Sequence, residues 1–258
     1  MAKCWASGLG GCSPIQSGEH YLSESLWDSE EITVKGLWGS EEKTISLGSL
    51  TVNALCRTHN SDLSELDTGI RKISHTISEL HRLAKVRASI GKGKLSNIPK
   101  LKVDGNILER WAAKFLVGLF CAVGKKSYWH ETKSGPLDPP ESIVKSIYGL
   151  EPFVEPVGLY LAYAVGDSHY HESGVVRTET LMHPDGGLVG ANLDLNGFRF
   201  LVWLIPETLH ASFIESSAGT LFGPGAAELK YHPREGVFKA SSQRLIFDWN
   251  QIVMGMRA

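Results

Sequence analysis

Leu55-Cys56-Arg57-Thr58-His59-Asn60-Ser61-Asp62-Leu63 is the stretch that decides how this chain is read. Two residues separate Cys56 from His59, the close spacing in which zinc ligands come as pairs. A closed zinc site needs a second pair, and Cys4 and Cys12 supply it. Seven residues lie between those two, more than the usual two to four, and Gly8, Gly10 and Gly11 give the loop freedom to turn back. Cys4, Cys12, Cys56 and His59 therefore predict a structural zinc. Cys121 lies in an apolar run and reads as a core residue.

Between the two pairs stands Gly18-Glu19-His20-Tyr21. A histidine accepts a proton from water near neutral pH. A neighbouring carboxylate holds a hard divalent ion beside a phosphate. Residues 4 to 67 thus run Cys-x7-Cys, an acid–histidine pair, then Leu-Cys-x2-His-Asn leading into a helix. This order resembles the zinc-bearing branch of the HNH endonuclease (ββα-metal) family. The resemblance implies zinc on Cys4, Cys12, Cys56 and His59, with His20 as general base. It further implies that Glu19 and Asn60 hold a catalytic Mg2+ or Mn2+. The implied activity is metal-dependent hydrolysis of phosphodiester bonds in nucleic acid, DNA above all, with bacterial defence as its setting. The chain departs from the pattern where the middle asparagine stands: Thr51 aligns by strict spacing, and Asn53 follows two residues later. Asp104-Gly-Asn-Ile-Leu-Glu-Arg-Trp-Ala-Ala-Lys114 also resembles a stretch of uncharacterised bacterial HNH-like proteins. The alternative reading is a zinc module that binds nucleic acid or a protein partner without cutting.

Bulk properties set the frame. The chain has 258 residues, 42% hydrophobic and 21% charged, a globular composition able to bury a core without disulfides. Its formal net charge is −2, so any nucleic-acid surface must be local. Met1-Ala2-Lys3-Cys4 leads into glycines, so no signal peptide is expected, and the cytoplasm is the expected compartment. The longest apolar run, Phe115 to Val123, is too short to cross a bilayer, so no membrane association is expected.

The organisation predicted is α+β: a small zinc-stapled module over 1–68, a helical region over 69–150 and a β-rich domain over 151–258. Leu63, Leu66, Ile70, Ile73, Ile77, Leu80 and Ala84 recur in steps of three and four, one stripe of a long amphipathic helix. From Gly69 to Lys102 there are nine Lys or Arg and one acid, Glu79. Arg71, Lys72, Arg82, Lys85, Arg87, Lys92 and Lys94 are the candidate phosphate contacts, the last two in a loop that also carries Lys100 and Lys102. The 63–90 helix or the C-terminal domain is the candidate surface for self-association or a partner protein. A second, core helix is expected over 106–123 and a short one over 141–148. Short strands are expected over 31–34 and 43–47, then 159–165, 175–182, 188–195, 198–205 and 244–249. Asn196-Gly197 between two of these is a hairpin signal. His169-Tyr-His171 reads as a polar loop. Gly118 to Ser127 has five residues between its glycines where a phosphate-binding loop has four.

Overall fold

The computed structural model describes residues 4–27, 30–35, 42–90, 100–123, 139–164, 176–182, 188–195, 198–205, 227–238 and 243–249. Its fold is α+β. The N-terminal part holds two antiparallel pairs. β1 (Gln16–His20) pairs with β4 (Thr51–Cys56), and β2 (Glu31–Lys35) pairs with β3 (Glu42–Ser46), with Ile32 opposite Ile45. β4 runs straight into α1 (Arg57–Asp62), and α2 (Ser64–Ile90) follows. The apolar stripe of α2 does what its period demands: Leu63, Leu66, Ile70, Ile73, Ile77 and Leu80 are all buried.

α3 (Gly105–Val123) is the hub. Leu108, Trp111, Phe115, Leu116, Leu119 and Phe120 are buried, and so are Ala112, Ala113 and Val117 on its other sides. A helix buried all round must be enclosed by other elements. α3 is packed by α2 and β4 from the N-terminal half, by α4 (Glu141–Ile147), and by strands of the C-terminal half.

Those strands form two sheets. β6 (Gly158–Ala164), β7 (Val176–Met182), β8 (Leu188–Leu195), β9 (Phe198–Trp203) and β10 (Ala227–Tyr231) make an antiparallel sheet in the order β10-β6-β9-β8-β7. The β8–β9 ladder closes at Leu195 opposite Phe198, flanking the predicted Asn-Gly turn, whose two residues lie outside those described. β11 (Glu235–Phe238) and β12 (Gln243–Asp248) are joined by β5 (Lys100–Asp104), which runs parallel to β12. Lys100 and Lys102, expected in a loop, therefore stand on a strand. Leu101 and Val103 alternate with them, a period of two that a count of lysines hides. β1, β4, β10 and β11 were likewise not anticipated. No helix among the described residues is long and apolar enough to cross a membrane.

One cluster of buried apolar residues runs from Cys4 through Phe115 to Phe247. Residues of all three predicted domains thus share a core. Close contact between the N-terminal part and α3 depends on Gly118, where an added Cβ would lie 2.5 Å from Tyr21 Cβ and 3.2 Å from its Cα. Gly→Ala inside a helix ordinarily gains stability. Here Gly118→Ala is expected to lose about 1–3 kcal/mol through overpacking, read by urea denaturation; a gain in stability would refute the contact.

Candidate metal centre

Three local features bring four ligand atoms together. Cys56 ends β4 and His59 lies in the first turn of α1, and positions three apart on a helix share one face. Cys4 is fixed against β4 because the next residue, Trp5, donates its N–H to Ala54 O at 3.0 Å. Cys12 returns to the cluster through Gly10 and Gly11, at φ +78° and +67°, a left-handed backbone that glycine adopts without strain. The long spacing between Cys4 and Cys12 is thereby closed as the glycines suggested.

His59 Nδ1 lies 3.2 Å from Cys4 Sγ, 3.5 Å from Cys12 Sγ and 3.3 Å from Cys56 Sγ. All four ligand atoms fall within 4.8 Å of one another. A tetrahedral ion with zinc's bond lengths to sulfur and nitrogen has N···S edges of about 3.5 Å. The donor set and its spacing fit such an ion, with Nδ1 as the imidazole ligand. Cys4, Cys56 and His59 are buried and Cys12 is exposed, so the cluster opens to solvent on one side. A second layer braces it. Tyr148, just after α4, donates its hydroxyl to His59 O at 2.9 Å and meets the His59 and Trp5 rings edge-on.

The thiols are unequal. Burial pushes the Cys4 thiol up to about 11. Desolvation also raises Cys12, reinforced by the neighbouring Cys56 sulfur. Burial works against the Cys56 thiolate, but the backbone N–H groups of His59 and Ser13 and the other two thiols outweigh it and lower its pKa.

The residues expected to do chemistry are separated by strand alternation. Glu19 faces inward and His20 outward on β1. Glu19 and Lys114 of α3 are each only 2% exposed, and Lys114 Nζ sits 2.7 Å from Glu19 Oε1. Burial raises the Glu19 carboxyl's pKa, and the Lys114 charge opposes that rise. Lys114 also lies 3.0 Å from both carboxylate oxygens of Asp67. Ser23 Oγ joins the same group, donating to Asp67 Oδ1 and accepting from Trp111 Nε1 at 2.7 Å. Glu19 is thus part of a buried ionic network and is not turned toward an ion shared with Asn60.

His20 side chain is 30% exposed, and its Nε2 lies 3.2 Å from Glu24 Oε1. Its Nδ1 is shielded and has no hydrogen-bond partner among the described residues. Asn60 gives its amide nitrogen to Ser17 Oγ at 2.9 Å and Gly18 O at 3.4 Å, which ties α1 to β1. Asn53 Oδ1 stands beside Gly18, where an added Cβ would come within 3.8 Å of it.

On α2, Arg71, Lys72 and Lys85 are exposed, and Arg82 is held by Glu79 through two 2.7 Å hydrogen bonds. The Arg87 side chain, Lys92, Lys94, His169 and His171 lie outside the described residues. Sequence reading missed Glu24, Asp67 and Lys114. It also missed Glu109, a buried α3 carboxylate that accepts from Leu159 N at 2.8 Å and meets His232 Nε2 at 2.7 Å. Three charged residues, Glu109, Arg110 and Lys114, inside an otherwise apolar helix were the available signal.

No protein-family model matches the chain, and no curated protein or solved structure matches it either. Fold and site together define an α+β protein with a candidate Cys3His metal centre at its N-terminus.

Three outcomes are expected. Metal analysis should find zinc near one equivalent, lost in Cys56→Ser. Zinc uptake near pH 7 should release protons, because Cys4 and Cys12 enter as thiols, so affinity should fall with acid; a pH-indicator titration showing no proton release would contradict the cluster. Separately, Lys114→Met should cost about 3–5 kcal/mol by stranding buried carboxylates, with zinc content unchanged.

Proposed function

We propose that this chain is a zinc-clamped endonuclease of the HNH type that hydrolyses phosphodiester bonds of nucleic acid, DNA in particular. The reading rests most on His20. It stands at the end of β1 with one nitrogen held by a carboxylate and the other left without a partner among the described residues. A base oriented by a carboxylate is the arrangement general-base catalysis needs. In the tautomer that donates Nε2–H to Glu24, Nδ1 keeps a lone pair; it is shielded from solvent as placed, so taking a proton from water requires the imidazole to turn or its cover to open. The surrounding order supports the same reading: an antiparallel β1–β4 pair, a Cys3His cluster at the strand–helix junction, and α1 carrying Asn60.

A bound divalent ion would polarise the phosphoryl oxygen and stabilise the leaving oxygen. Glu19 and Asn60 are its proposed protein ligands. As placed, Glu19 is engaged by Lys114 and Asn60 by Ser17, so the two do not form a ligand set. That observation favours a second reading, a zinc module that binds nucleic acid without cutting it.

A supercoiled plasmid separates them. Zinc-loaded protein with Mg2+ or Mn2+ should nick it. His20→Ala should slow nicking by about 10²–10⁴-fold with zinc content intact, and Glu24→Gln should lower it less. Salt-sensitive DNA binding without cutting under every divalent ion tried would leave the binding module as the answer.

A further inference from the structure

A cleft of about 560 Å³ opens between α2 and β5. Its apolar floor is Ile73, Val103 and Ile107. The floor exists because α2 lacks a side chain at Gly69, where an added Cβ would lie 2.3 Å from Ile107 Cγ2. Four charged groups line the cleft: Glu65, Asp104, Lys72 and Lys102. The carboxylates are already engaged. Glu65 Oε1 is 2.7 Å from Arg110 Nη2, and Asp104 Oδ1 accepts from Ile107 N at 3.0 Å at the start of α3. The ammonium groups have no ion pair among the described residues. Lys72 and Lys102 are both exposed and face the cleft from opposite walls.

Two further features extend this wall. β5 is an edge strand among the described residues, and Lys100 and Lys102 lie on its exposed face two residues apart, about 6.6 Å along the strand. Arg71, exposed, adjoins Lys72 on α2. The cleft therefore offers two lysines on opposite rims, with Glu65 neutralised by Arg110 and Asp104 engaged in capping α3, above an apolar floor. Lysines on an edge strand also serve simply to block strand pairing. That role does not account for Lys72 across the cleft or for the apolar floor.

We propose that this cleft seats the sugar–phosphate backbone of one strand of duplex DNA. Lys72 and Lys102 take phosphates from the two sides, and Lys100 extends the track. The inference rests on the nucleic-acid reading above and adds a binding site that reading does not contain.

The test is fluorescence anisotropy of a short labelled DNA duplex with the zinc-loaded full chain, across a salt series. Lys72→Glu with Lys102→Glu should weaken binding by on the order of tenfold and flatten the log–log salt slope by about two. Both lysines are exposed and have no ion pair among the described residues, so zinc content and melting should hold. Thr68→Trp fills the cleft without changing charge and should weaken binding at an unchanged salt slope. Lys43→Glu, a single charge reversal at an exposed position of β3, should have much less than half that effect. The cleft is refuted if the double variant binds no worse than Lys43→Glu, or if Thr68→Trp is silent, while wild type binds DNA. Wild type that binds no duplex even at low salt overturns the nucleic-acid reading itself, and the cleft with it.

Discussion

The whole structure depends on one constraint: α3 is enclosed by other elements yet carries two buried charges, at Glu109 and Lys114. A charge taken out of water must find partners, because stranding it costs several kcal/mol. Each of these charges recruits a different half of the chain. Lys114 collects Glu19 from β1 and Asp67 from α2. Glu109 collects the Leu159 N–H at the start of β6 and the His232 imidazole after β10. His232 is itself stacked between Tyr231 and Trp249, with ring centroids 3.9 and 4.1 Å away. The helix that fills the core is thus also the part that fixes where the flanking segments sit.

The candidate site inherits its geometry from this network. Ser23 is held from two directions, by Asp67 and by Trp111, and Ser25 Oγ donates to Asp67 O at 2.7 Å. Glu24 lies between these two serines. Its carboxylate is therefore presented by a turn anchored at both ends, and it is this carboxylate that meets His20. Glu19, on the other face of β1, pins the strand from beneath. A residue that looks in sequence like half of a catalytic pair is in the structure the foundation under the other half.

What could be read from the sequence was what local period or spacing records. The α2 stripe, α3, α4 and the β8–β9 pair follow from hydrophobic repeat and turn chemistry. Cys56-x2-His59 and the glycines before Cys12 gave the cluster, since ligand pairs are local. Partnerships across long separations left no such trace. Nothing near Glu19 announces a lysine 95 positions on, and nothing near Glu109 announces His232. β5 was missed for a related reason. A strand that pairs in parallel with β12, far along the chain, shows only five alternating residues, and three of those are charged. The inward Glu19 beside an outward His20 follows from a rule the sequence did contain, since adjacent strand residues point to opposite faces.

β1 links the two devices, because its ends belong to different ones. Gln16 lies opposite Cys56, at the metal cluster, and His20 lies opposite Thr51, at the open end. Four residue steps, about 13 Å of extended chain, separate the cluster end of the strand from the candidate base. The cluster fixes the entry of the strand and its junction with α1. The Lys114 network fixes its exit and the turn that carries Glu24. Each device constrains a different end, so neither alone sets the placement of His20 relative to Asn60. A metal clamp gives this small β-hairpin an anchor that its few apolar residues do not provide. The buried ions then set the inward and outward faces of the strand, because a one-residue slip would turn Glu19 outward, strand the buried Lys114 and bury the imidazole.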